Sequence, residues 1–187
     1  MPDIMEAIEG RRSIRKYKDQ QISREALDAI LRAGMLAPSA SNKQPWHFIA
    51  IQDQALIAEL NDAILRAMGK NSNAYVSAMA ARERYAPLFH APTVILVCGV
   101  ENSSWSHCDC ALAAQNMALA AYGMGIGSCM VGFALNLYGD HAGDQSALLA
   151  KLRIPQGYRM HYAFCFGYPD ETPPARPRDY DKVTYIG

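Results

Sequence analysis

The sequence predicts an α+β domain, a sheet of about four strands with helices packed around it. Three observations carry that reading. Apolar runs with strand character fall at 47–51, 93–98, 128–131 and 158–166, and helical periodicities fill the stretches between them. No linker, internal repeat or low-complexity segment divides the 187 residues, so a single domain spans 1–187. Half of the residues are hydrophobic and 19% are charged, enough apolar material for a real core and too much for a disordered chain.

Taken in order, Ile4, Met5 and Ile8 recur at helical spacing, and Gly10 closes that short helix. Ser23 is an N-cap for a helix carrying Leu27, Ile30, Leu31 and Met35, stopped by Pro38. A polar loop over 38–45 precedes the strand at 47–51. Leu56, Ile57, Leu60, Ile64 and Leu65 define an amphipathic helix over 54–68. The polar, glycine-containing stretch 69–73 reads as a flexible connection, and the residues up to Tyr85 as a helix that moves or covers something. The run at 93–98, between Pro92 and Gly99, has the pattern of a central strand buried on both faces. Residues 109–122 are helical with almost no polar face and should be enclosed on all sides. In so small a domain, one solution is a second subunit that covers the remaining face, so an obligate homodimer is expected. A short strand at 128–131 and a last one at 158–166, ended by Gly167-Tyr168-Pro169, complete the sheet.

Charge narrows the partners. The formal net charge is +0, yet cations crowd Arg11-Arg12-Ser13-Ile14-Arg15-Lys16-Tyr17-Lys18 and Arg176-Pro177-Arg178. Nucleic acid calls for a basic face, whereas an anionic small molecule needs only such a cluster. Guanidinium forks match phosphate oxygens, and a neighbouring Ser hydroxyl completes a cradle. The competing reading is a solvated basic turn. The start, Met1-Pro2-Asp3-Ile4, lacks the basic and apolar regions of a secretory signal. Five irregularly spaced cysteines suit reduced thiols in a cytoplasm. The apolar stretch 111–131 is interrupted by Gln115, Asn116, Ser128 and three glycines, so it reads as helix, turn and strand, not as a membrane span.

Other motifs weigh less. Gly123, Gly125 and Gly127 end a helix and lead into a strand, the reverse of a dinucleotide-binding loop. Backbone amides of Met130, Val131 and Gly132, at a strand end, could approach a flat ligand closely. His107-Cys108-Asp109-Cys110 has no second ligand pair with metal spacing, so no metal is expected. Cys129 reads as a core thiol before a nucleophile. Ser39, Ser41, Asn42 and Gln44 place donors and acceptors in a loop fixed by Pro38 and Pro45.

Four blocks carry a resemblance. Residues 11–17, 38–46, 125–129 and the ending Gly167-Tyr168-Pro169 with Arg176-Pro177-Arg178 resemble, in order, motifs of the FMN-dependent nitroreductase family, and together they span nearly the whole chain. The resemblance implies a nitroreductase-like fold: a central, mostly antiparallel sheet of four to five strands in an intertwined homodimer with FMN at the interface. It assigns Arg11, Ser13 and Arg178 to the FMN phosphate, with Arg176 nearby and Arg12 helping, and Arg15 to the flavin pyrimidine edge. Pro38, Ser39, Ser41, Asn42 and Gln44 belong to the loop donated by the other subunit. By the same resemblance Met130, Val131 and Gly132 match the segment whose backbone faces flavin N5, and Asn73 a polar residue at the ring edge.

The implied activity is hydride transfer from NADH or NADPH through flavin N5 to nitroaromatic, quinone or similar acceptors by a ping-pong mechanism. That chemistry needs no protein nucleophile, in keeping with the absence of an acid–base motif, and no nucleic acid or membrane partner. Alternatives are a same-fold flavoenzyme with a specialised non-nitro substrate and a flavin-binding protein with little turnover. The chain is short between Trp46 and the glycine turn, so the helices that shape the substrate pocket are reduced.

Overall fold

In the computed structural model, which describes residues 3–187, four strands form one sheet. They are β1 (Trp46–Ile51), β2 (Thr93–Val100), β3 (Gly127–Val131) and β4 (Tyr158–Gly167), in the order β1-β2-β4-β3 with every neighbouring pair antiparallel. Met1 and Pro2, part of the leader reading, lie outside the described residues. The apolar run of β2 is buried over seven of its eight positions, as expected of a central strand covered on both faces.

The helices are α1 (Ile4–Gly10), α2 (Arg24–Met35), α3 (Gln54–Gly69), α4 (Ala74–Ala80), α5 (Ser106–Gly123) and α6 (Ser146–Leu152). Short polar side chains start the early ones. Asp3 and Glu6 form a reciprocal capping box on α1, each bond 2.9 Å. Ser23 caps α2 as predicted, and Asp53 caps α3. Alternation along the strands sends Ile95, Val97, Tyr162, Phe164 and Phe166 into a core with α2 and α5. Val94, Leu96, Met160, Ala163 and Cys165 join α3, α6 and the 3-10 segment Gly132–Tyr138 on the other side.

Three differences from the sequence reading have physical causes. First, α5 starts at Ser106, three residues before the expected start. Its buried face is Cys110, Ala113, Ala114, Met117 and Ala121, while Leu112, Cys108 and Gln115 remain exposed, so the helix is not enclosed on all sides within one chain. Second, Val97 pairs with Tyr162 and Cys98 with Met160, leaving His161 as the extra residue of a β-bulge. The bulge ties β4 to the start of α5: His161 Nε2 meets Ser106 Oγ at 3.2 Å, and the Tyr162 hydroxyl meets His107 Nε2 at 2.9 Å. Third, α6 and the 3-10 segments after β3 carry no sequence signal, because each is short and none starts on a capping side chain. Among the described residues, no helix is long and apolar enough to cross a membrane.

Candidate functional site

The basic segment near the start of the chain is wedged between β3 and the residues that follow β4. Ser13 forms a parallel bridge with Ser128, and the Ile14 amide donates to the Ser128 carbonyl at 2.9 Å. On the other side Tyr17 pairs with Pro169. The Lys18 amide donates to the Tyr168 carbonyl, and the Asp170 amide to the Lys16 carbonyl, both at 2.9 Å. Lys16 also pairs with Asp170 at 3.0 Å. This seam needs the glycine turn. Gly125 takes a left-handed φ of 72° that turns the chain out of α5, and a Cβ on Gly127 would stand 2.8 Å from Ile14 Cγ1. The glycines therefore serve a helix end and a close approach, as their order in the sequence implies.

Two cavities border β3. The first, about 660 Å³, lies at its start and is lined by Gly10, Arg11, Arg12, Tyr122, Ser128 and Glu171 among others. Arg12 Nη1 donates to the carbonyls of Glu9 at 2.5 Å and Arg11 at 2.9 Å. The Nε atoms of both Arg11 and Arg12 are buried without a partner. A buried donor left unpaired costs about 1–3 kcal/mol, more when charged, so these atoms suit an anion that supplies acceptors.

The second cavity, about 510 Å³, lies at the end of β3. Cys129, Met130, Val131 and Gly132 border it on the strand side, with Arg15 and Arg176 beside them. Tyr75, Met79 and Arg82, four and three residues apart along α4 and just past its end, also line it, with Tyr85, Phe89 and Phe133. The Arg15 guanidinium stands 5.8 Å from the centre of the Phe89 ring. The backbone amide of Arg15 donates to the Glu171 carboxylate. A Cβ built on Gly132 would meet no protein atom within 4 Å, so the space over that backbone is left open by the chain.

The structure thus gathers Arg11 and Arg12 at one cavity and Arg15, Met130, Val131, Gly132 and Arg176 at the other. Arg178 lines neither cavity, and its Nη1 donates to the Arg176 carbonyl at 3.4 Å. Ser13 stays in the seam. Asn73 caps α4, its Oδ1 accepting from the amides of Tyr75 at 3.0 Å and Val76 at 3.4 Å.

Pro38, Ser39, Ser41, Asn42 and Gln44 also stand apart from both cavities. Their loop docks on α5 instead, where buried Asp109 accepts from the Ala40 amide at 3.1 Å. Ser41, Asn42 and Gln44 all have positive φ, held by bonds from the Gln44 amide to Ser39 Oγ at 2.9 Å and from Gln44 Nε2 to Asn42 Oδ1 at 3.0 Å.

The wall of Tyr75, Met79, Arg82, Tyr85, Phe89 and Phe133 was missed in the sequence. Its only signal is the helical spacing of the first three, which reads equally as core. Cys129 borders the second cavity, but burial pushes its thiol above the usual range, so at neutral pH it is a protonated core thiol. Among the described residues, no group of three or more His, Cys, Asp or Glu side chains is placed to hold a metal.

Unpaired guanidinium nitrogens at one end of β3 and a flat, aromatic-walled space at the other define a small-ligand protein, suited to a molecule with an anionic group and a planar ring. Residues 8–168 match the Nitroreductase family, and the chain belongs to that family. An Archaeoglobus fulgidus protein, provisionally named NADH dehydrogenase/NAD(P)H nitroreductase, is 34% identical over 91% of this chain and 88% of its own length. A Bacillus subtilis FMN reductase (NADPH) is 27% identical over 99% of this chain and 73% of its own. A Bacteroides fragilis nitroreductase solved with bound FMN superposes with a TM-score of 0.90 at 30% identity, both chains covered in full.

Proposed function

We propose that the chain is an FMN-dependent oxidoreductase that carries hydride from NADH or NADPH to nitroaromatic, quinone or similar acceptors in a ping-pong cycle. The observation that carries the cofactor is the pair of buried, unpartnered Nε atoms of Arg11 and Arg12. The open space over Gly132 agrees with it, as do relatives solved with FMN or named as FMN reductase.

In this reading Arg11, Ser13 and Arg178 hold the phosphate, with Arg12 and Arg176 adding charge, and the chain needs no nucleophile of its own. When bound, FMN supplies the hydride-accepting and hydride-donating position at N5. The amides of Met130, Val131 and Gly132 orient the ring there. Arg15, exposed beside the second cavity, would lie at the ring's pyrimidine edge and offer it positive charge. Asn73, at the start of α4, is assigned to the ring edge.

The loop carrying Pro38, Ser39, Ser41, Asn42 and Gln44 serves the site of a second copy. A homodimer is supported by exposed Ile4, Met5 and Ile8 on α1, Met35 and Leu36 at the end of α2, and Leu112 on α5. A cytoplasmic location suits five cysteines that form no disulfide.

Colour and bleaching test the proposal. The purified protein should be yellow, release FMN on denaturation, and bleach anaerobically with NADH or NADPH. A colourless protein that takes up no added FMN overturns it. Yellow protein that neither nucleotide bleaches keeps the cofactor and removes the enzyme.

A further inference from the structure

The cavity at the end of β3 has more cation than the cofactor reading uses. Three guanidinium groups border it, those of Arg15, Arg82 and Arg176, and no carboxylate does. Arg15 and Arg176 are assigned to FMN. Arg82 borders the cavity from just beyond the end of α4. Among the described residues, its side chain has no hydrogen-bond or salt-bridge partner. The adjacent Glu83 carboxylate is turned to Arg84 at 3.6 Å. Around Arg82 the wall is aromatic and soft: Tyr75, Met79, Tyr85 and Phe89, with the Tyr85 and Phe89 rings edge-to-face at 6.5 Å and 81°.

We infer that this cavity selects aromatic acceptors bearing a negative charge, and that Arg82 is the specificity-determining residue that reads it. The inference rests on the FMN reading, which makes the cavity the acceptor's place. An aromatic ring gains by stacking between the flavin position and the Tyr85–Phe89 wall. A carboxylate on that ring can take the Arg82 fork in two parallel bonds, whereas a neutral ring leaves the fork to water. Arg82 is exposed and therefore screened, so the discrimination is moderate, about fivefold. The same fork could instead hold phosphates of the nicotinamide donor, and the test separates the two.

The probes are benzoate and benzamide, alike in shape and different in charge. Each is titrated into FMN-loaded protein, with binding read by flavin absorbance and by calorimetry. Wild type should bind benzoate about fivefold more tightly. Arg82→Gln should level the two affinities by weakening benzoate, and Arg82→Glu should reverse the order. Equal affinities in wild type, an unchanged ratio in Arg82→Gln, or no benzoate binding at millimolar concentration overturns the inference. So does an Arg82→Gln defect confined to the KM for NADH or NADPH, which would assign the guanidinium to the donor. Calorimetry needs no flavin signal, so a colourless protein sinks the cofactor reading while the benzoate contrast is still measured.

Discussion

At the start of β3 the basic segment is pinned by backbone bonds on two sides, to Ser128 and to Tyr168–Asp170, with Gly127 keeping the strands close. At the end of β3 a cavity wall is built from side chains on the seven-residue helix α4 and the loop after it. Tyr75 and Arg82 there are exposed, and Arg84, Phe89 and His90 adopt left-handed φ. The difference teaches a division of labour. A cradle made by main chain tolerates little change without loss of the fold, while a side-chain wall can change what it accepts and leave the cradle standing.

The largest effect expected of this comparison is at the cradle. Arg11→Ala combined with Arg178→Ala should weaken FMN binding by more than about a hundredfold, since in the proposed site each would remove a charge-assisted contact of about 1.5–3 kcal/mol. Fluorescence titration measures this, and unchanged affinity would place the phosphate elsewhere. Next, Gly127→Val should destabilise the protein by about 1–3 kcal/mol in urea, because its Cβ would stand 2.9 Å from Ile14 Cβ, an atom that moves only with the seam backbone. Gly132→Ala, whose Cβ meets no protein atom, should leave the urea midpoint near wild type and loosen FMN. Similar urea midpoints for the two variants would erase the distinction between the ends of β3.

On the side-chain wall, Asn73→Ala removes the α4 cap and should cost about 1 kcal/mol, seen as faster amide exchange in α4. If FMN affinity falls as far as in the arginine variant, Asn73 touches the ring and the wall is part of the cradle.

The smallest effect at neutral pH concerns the thiols. Iodoacetamide should label exposed Cys108 well before Cys129, although Cys129 borders the cavity. The buried Cys98 and Cys110 thiols are pushed up to about 12 by burial. Their contribution to stability is therefore full below the unfolded thiol range and is lost between about pH 9 and 12, because only the unfolded chain gives up those protons there. Chemical denaturation across that range should show the fall, and Cys98→Ala should shrink it.

The strands, the capped helices α1 to α3 and the cationic segment were legible, because each rests on local chemistry: alternation, a capping side chain, a turn glycine. The bulge at His161 was not, since a strand pattern carries no mark of the one residue its neighbour skips. The separation of Arg176 from Arg178 depends on where an extended tail runs. The roles of Tyr75, Met79 and Arg82 depend on which face of α4 meets an open space and not a core, and helical spacing alone does not distinguish the two. Leu112 illustrates the same limit in reverse: its apolarity was plain, but its exposure within one chain was not.

The seam between residues 13–18 and 168–170 also has a meaning in time. Tyr17 and Pro169 are partners separated by about 150 residues, so during synthesis the basic segment must wait until the residues after β4 have left the ribosome. An emerging chain can form α2, α3 and the β1–β2 pair early, yet the seam that positions Arg11 and Arg12 closes only after β4 and residues 168–170 have emerged. In the proposed site, cofactor capture would follow the closing of this long-range contact and would report that it has formed.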